Sequence, residues 1–264
     1  MSVGLDDKPI AWPRKHDVFG VGISATTYAE ATEAILRAAE RHESAIVSAH
    51  SVHALVTFSG SEELRRKANS FEMITPDGQP VRWALNTLHG TGLRERVLGA
   101  ELTLCLCRAA AARGVSIYLY GGASDEVLDK LKANLVAKQP GLMIAGSESP
   151  PFRALTPDER EATAERINAS GAGIVFIGLG CPKQDEFAYE VRSRVQAVLV
   201  CVGAAFDFHA GTKRRAPDWM QRSGLEWLFR LGQEPRRLWK RYLVTNSIFL
   251  AKFLPQGLRT WFRA

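Results

Sequence analysis

The sequence predicts an α/β fold, a doubly wound domain on a mostly parallel sheet, followed by a basic helical appendage. Three observations predict it. Short apolar runs alternate with longer amphipathic ones, the pattern of repeated strand–helix units. The short runs are apolar throughout, as expected of strands covered by helices on both faces. Charge is also segregated. Gly211 to Ala264 holds twelve Lys or Arg against three Asp or Glu, a net of +9, in a 264-residue chain whose total is +6. Residues 1–210 therefore sum to −3, and the boundary is drawn there: a core over 1–210 and an appendage over 211–264.

Taken in order, Ala45–Ala49 (AIVSA), Phe71–Thr75, Val115–Tyr120 (VSIYLY), Leu142–Ala145, Ile174–Ile177 (IVFI) and Ala197–Val202 (AVLVCV) read as buried strands. The helical patterns among them are Glu62–Asn69, Glu101–Arg113, Ser124–Lys138, Pro157–Ala169 and Lys183–Val195. Ser124 with Asp125 and Glu126 reads as an N-cap and an acidic first turn after Gly121-Gly122, a structural turn whose acids repel phosphate.

The appendage carries four of the six tryptophans: Trp219, Trp227, Trp239 and Trp261. After Pro235, the positions Leu238, Tyr242, Thr245, Phe249 and Phe253 recur at spacings of three and four, and Trp239, Leu243 and Leu250 widen that stripe. Arg236, Arg237, Lys240 and Arg241 cluster at its start. Such a basic amphipathic helix either lies in an anionic membrane interface or packs its stripe on the body.

Composition narrows the class. Hydrophobic content of 46% is ample for a core. The N-terminus shows no basic-then-apolar targeting pattern, and no run approaches the roughly 18 apolar residues of a spanning helix. The nearest, Tyr242 to Leu254, is interrupted by Thr245, Asn246, Ser247 and Lys252. Cys105, Cys107, Cys181 and Cys201 lack zinc spacing and read as free thiols of a reducing cytosol, and the six histidines form no metal set.

Ligands of doubly wound sheets bind at the carboxyl ends of the strands. Asp77, in Thr75-Pro76-Asp77-Gly78, is presented there on a tight turn, either stabilising that turn or serving as a general base. Gly178 to Gln184 (GLGCPKQ) offers glycines for close backbone approach, the donors Lys183 and Gln184, and helix N–H groups for an anion. It lacks the third glycine of a dinucleotide fingerprint. Asp207 lies between aromatics past the last strand, and either accepts hydrogen bonds from a ribose or base or is structural. His50 sits at a strand end, and His209 precedes a basic stretch that can face phosphate. Arg96 and Arg215 supply planar guanidinium forks for diphosphate.

Together the segments ITPDGQPVRW, RERVLGAEL, YLYGGASDEVLDKL, IVFIGLGCPKQDEF, VGAAFDFHAGTKRRAPDWMQRSGLEWLFRL and EPRRLWKRYL resemble the WecG/TagA/CpsF family of bacterial glycosyltransferases, over residues 16 to 250. The GLGCPKQDEF block and the AG-x-x-x-RAP-x-W-x-x-x-x-G-LEW block carry the likeness, which extends to exopolysaccharide glucosyltransferases of the xanthan type. The resemblance implies a Rossmann-like core and an appendage that meets the membrane and completes the site. It implies inverting transfer of a sugar from a UDP-sugar donor to a polyprenyl-pyrophosphate-linked saccharide acceptor. Asp77 matches the family's proposed general base; Arg96, Gln184 and Asp207 match donor-nucleotide positions. Arg215, Arg222 and Arg230 match appendage arginines that reach the site, and Ser48 and His50 stand near the donor where relatives often have Thr and Asn. Lys183, Gly178 and Gly180 belong to the matching motif.

The expected enzyme needs no nucleophile, because a single displacement inverts the anomeric centre. With no DxD-like acidic pair at a strand end, arginines and helix N–H groups are expected to stabilise the leaving diphosphate, with no metal cofactor. The expected location is cytoplasmic, peripheral on the inner face of the membrane, and truncation after Ala210 is expected to leave a folded core without transfer. Two other readings compete. A nucleotide-cofactor oxidoreductase lacks its third glycine here. A nucleic-acid binder would use the basic tail, but the aromatic stripe at helical spacing favours core or membrane over nucleic acid. The sequence leaves the oligomeric state open, a homo-oligomer included.

Overall fold

The alternation of apolar and amphipathic runs folds into a six-stranded sheet with all strands parallel, in the order β4 (Met73–Pro76), β3 (Ala45–His50), β8 (Val198–Cys201), β7 (Ile174–Gly178), β5 (Ile117–Gly121), β6 (Ile144–Glu148). The computed structural model describes residues 8–261; the start of the N-terminal segment read above and the side chain of Trp261 lie outside the described residues. An antiparallel hairpin of β1 (Lys15–Val18) and β2 (Val21–Ser24) precedes these strands. The helices of the core are α1 (Tyr28–Glu40), α2 (Val52–Ser59), α3 (Glu62–Asn69), α4 (Gln79–His89), α5 (Gly99–Arg113), α6 (Asp125–Lys138), α7 (Pro157–Ser170), α8 (Lys183–Val191) and α9 (Ala205–His209). The appendage adds α10 (Asp218–Arg222), α11 (Glu226–Gln233) and α12 (Pro235–Trp261).

The uninterrupted apolar strands are explained by two core layers. Successive residues of a strand point to opposite faces. Ile117, Leu119, Phe176 and Val200 bury into one layer with α1, α5, α6 and α9. Tyr118, Tyr120, Val175, Ile177 and Leu199 bury into the other with the hairpin and α2, α4, α7 and α8. Phe249 of α12 completes this second layer.

Several boundaries differ from the sequence reading. The second strand begins at Met73, since the buried Phe71 closes a turn on Ala68 O instead. The fourth is shifted to Ile144–Glu148, an edge strand of only partly buried residues. Helix α8 ends at Val191, after which Arg192 turns out to bond Ser70 O and Glu72.

The tail helix corrects the single-stripe reading. Leu238, Thr245 and Phe249 are buried, and α12 packs on α2 and α4. Thr245 is accommodated because its hydroxyl donates to Arg241 O at 2.8 Å. Trp239, Leu243 and Leu250 do not widen this face. At about 100° per residue they rotate onto the outer side, where they are 55%, 62% and 52% exposed. The helix is therefore apolar on two faces, one covered by the body and one open.

Candidate active site

The strand ends and the appendage enclose one large cavity of about 1640 Å³. Its floor is the carboxyl ends of β3, β4, β5, β7 and β8; its far wall is α11 and α12. Strand β5 leads outward to β6 while β7 leads back to β8, so β5 and β7 flank the switch point of the sheet, where such folds bind ligands.

Asp77 stands at the mouth of β4. Its N–H donates to His50 O at 3.2 Å, which fixes the turn to the end of β3. Burial pushes its carboxyl up to about 6. The Arg96 guanidinium opposes that rise, the Glu226 carboxylate adds to it, and the Gly99 N–H and Arg230 oppose it. A carboxyl with its midpoint near 6 is mostly ionised at neutrality yet more basic than an ordinary aspartate, and so is suited to taking a proton.

Arg96 is held by the appendage. Its Nη2 donates to Glu226 at 2.6 Å in a pair whose side chains are only 11% and 15% exposed. Gln221 bridges Arg96 and Arg215, and Arg215 reaches Glu101 of α5 at 3.4 Å. The sequence reading passed over Glu226 although it lies inside the quoted LEW block. Replacing it by Gln removes a charge that adds to the rise burial causes at Asp77. The acid limb of the pH–rate profile is expected to move to lower pH, and an unmoved limb would separate Glu226 from Asp77.

The β7–α8 connection is built differently from the expectation. Gly178 has no room for a side chain: a Cβ there would lie 2.6 Å from the Phe206 ring, so this glycine serves packing. Gly180, at φ +78° with open space beside it, faces the cavity with a backbone only glycine adopts freely. Three of the first-turn N–H groups are taken and not free for an anion. Gln184 N bonds Gly180 O at 3.0 Å, and Asp185 N and Glu186 N bond Pro182 O at 3.0 and 3.1 Å. Gln184 instead uses its own Oε1 to accept from Gly180 N (3.2 Å) and Gly203 N (2.9 Å). That fixes its amide and leaves the NH₂ group as the donor. Lys183 also lines the cavity.

Ser48 and His50 lie beneath the floor rather than on it. Both are 0% exposed and bond the buried Asp185, through Ser48 Oγ at 2.5 Å and His50 Nε2 at 3.4 Å. They lock β3 to the first turn of α8. Asp185, next to Gln184 in the quoted motif, went unread because a buried acid cannot be told from a surface one by spacing.

Asp207, in α9, lines the cavity and pairs with Lys213 at 2.7 Å. His209 turns away from any phosphate: it is 4% exposed and its Nε2 meets Ala100 O at 2.8 Å. Of the three appendage arginines, Arg230 lines the cavity, while Arg215 and Arg222 lie outside its lining. Arg237 and Arg241 of α12 line it in their place. Among the described residues no three His, Cys, Asp or Glu gather as metal ligands, and no helix is long and apolar enough to cross a membrane.

A carboxylate poised for proton transfer, guanidiniums around it and a roomy crevice at the switch point suit group transfer from an anionic donor. The profile of the family described as "Glycosyl transferase WecG/TagA/CpsF family" matches residues 16–263. The chain belongs to that family, and is a glycosyltransferase on an α/β Rossmann-like fold.

Proposed function

We propose that this glycosyltransferase moves a hexose from a UDP-sugar to a polyprenyl-pyrophosphate-linked saccharide, inverting the anomeric centre, in bacterial cell-surface or exopolysaccharide synthesis. The observation that carries this reading is Asp77, a buried carboxyl raised to about 6 beside Arg96 in a cavity also lined by Arg230 and Gln184. Asp77 accepts the proton of the attacking acceptor hydroxyl. That oxygen forms the new bond to the anomeric carbon while the bond to the diphosphate oxygen breaks. UDP leaves with its added charge met by Arg96 and Arg230, so no metal is required in this scheme. Donation from the Gln184 amide and acceptance by Asp207 suit the nucleoside.

The open face of α12 suits a lipid-borne acceptor. Trp239, Leu243 and Leu250, at the rim of the cavity, and Leu254 beyond it stand exposed along it beside Arg236 and Lys240. Apolar anchors and cations at one surface favour an anionic leaflet, each cation contributing about 1 kcal/mol. These features support a peripheral enzyme on the inner face of the cytoplasmic membrane.

The test is transfer from a panel of labelled UDP-sugars to lipid-linked acceptors in bacterial membrane extract. Label is expected in the lipid fraction with one donor and not with Asp77→Asn. Failure with every donor, together with no UDP binding by the pure protein, would overturn the donor assignment.

A further inference from the structure

The cations around the cavity differ in how they are balanced. Arg96 has Glu226, Lys213 has Asp207 and Arg237 has Glu234. Arg241, on α12, is half-buried and lines the cavity, yet its Nε has no hydrogen-bond partner and no carboxylate pairs with it among the described residues. His53 of α2 lines the same part of the cavity, and its Nδ1 is also buried without a partner. A desolvated guanidinium without a counter-charge is unfavourable until an anion arrives.

Burial, reinforced by Arg230 and Arg237, lowers the Arg241 pKa, although Tyr242 opposes this. Burial and then Arg241 hold His53 down to about 4, so it is neutral at physiological pH and serves as a hydrogen-bonding ring rather than a cation. The cations acting on Arg241 are thus Arg230 and Arg237, and His53 beside it is neutral.

The wall that continues from Arg241 along α12 carries apolar side chains interspersed with Thr245, Asn246 and Ser247. Leu243, Phe249, Leu250 and Phe253 are its apolar members, and Val52 of α2 lines the same cavity. At about 1640 Å³ the cavity also exceeds the roughly 300–1,000 Å³ of a pocket for one small ligand. An unbalanced cation beside the apolar side chains of Leu243, Phe249, Leu250 and Phe253 fits an anion carrying a hydrocarbon chain. A free phosphate would leave that wall against water.

We propose that Arg241 and His53 head a lipid-phosphate subsite, separate from the donor's, that takes the pyrophosphate and first isoprene units of the acceptor. This rests on the acceptor named above. It assigns Arg241 to holding the acceptor's head group, Leu243 and Leu250 to its chain, and Arg96 to the donor's diphosphate. The two pyrophosphates are then bound at once, by different arginines, in one cavity.

The test measures binding of farnesyl pyrophosphate, inorganic pyrophosphate and farnesol to the full chain by calorimetry, with and without saturating UDP. Farnesyl pyrophosphate is expected to bind at least tenfold tighter than either fragment and to remain bound beside UDP. Arg241→Gln should weaken it tenfold or more with UDP binding unchanged, and Arg241→Lys should restore part of the loss. Leu250→Asp should weaken farnesyl pyrophosphate but not inorganic pyrophosphate. Competition between farnesyl pyrophosphate and UDP, equal affinity for inorganic pyrophosphate, or no effect of Arg241→Gln would each overturn the subsite. The two readings fail separately. The expected lipid binding with neither UDP binding nor transfer from any UDP-sugar supports the subsite and sinks the donor assignment. Transfer undiminished in Arg241→Gln sinks the subsite alone.

Discussion

Asp77→Asn is expected to abolish transfer and, at the same time, to stabilise the protein. Loss of a general base costs roughly 10²–10⁴ in rate. The stability gain follows from the raised carboxyl. Its folded pKa of about 6 against an ordinary 3.8 means that ionised Asp77 is disfavoured in the folded state by about 3 kcal/mol. The sign is opposite to that of a salt-bridged acid. Above pH 6 both folded and unfolded chains carry the charge, and the fold bears the full cost. Between pH 6 and about 3.8 the folded chain takes up its proton first and the cost fades. Denaturant midpoints should therefore separate variant from wild type at pH 7.5, with the variant higher, and converge near pH 4. In the wild type, kcat/KM should rise through a limb near pH 6 that the variant lacks. A variant less stable than wild type at pH 7.5 would show that Asp77 is held by its partners rather than strained by burial.

What the sequence disclosed and what it hid have physical causes. β5, β7 and β8 were legible because strands covered on both faces must be apolar at every position. The hairpin β1–β2 was not: its strands have four residues each, and Lys15, His16 and Asp17 give no apolar run. Helix α1 carries a readable signal, the capping box of Thr27 and Glu30, that the apolar-run reading overlooked. α2 is apolar around much of its circumference because α12 covers its outer side, so it lacks the amphipathic pattern by which a surface helix is found. At the site, Asp77, Gln184 and Asp207, all read at or near strand ends, line one cavity, and Arg96, from the segment before α5, lines it too. Glu226, Arg241 and His53 become neighbours of the site only through the docking of α11 and α12. No spacing rule within one segment encodes that. The same limit explains Ser48 and His50, whose place below the floor depends on a buried acid contributed by another helix.

Deleting everything after Ala210 is expected to reduce transfer below detection, and the structure separates three reasons. The deletion removes Glu226 and Gln221 from Arg96, Lys213 from Asp207, and the guanidiniums of Arg230 and Arg241 from the cavity. It also uncovers α2 and α4, because Leu238 and Phe249 are buried against the body. The truncated core should therefore fold with reduced stability, rather than unchanged as a detached appendage would leave it. Leu238→Ala alone should cost about 2–5 kcal/mol. It further removes the open apolar face. That last contribution is isolated by Leu254→Glu with Leu258→Glu, two residues 56% and 55% exposed and outside the cavity lining. Exposed positions change stability by only about 0.5 kcal/mol, so the thermal midpoint should hold. Transfer to acceptor in anionic vesicles should fall tenfold or more, while transfer to a short-chain acceptor in solution persists. If both activities fall together, the outer face belongs to the site itself. If neither falls, the face that anchors the enzyme lies elsewhere.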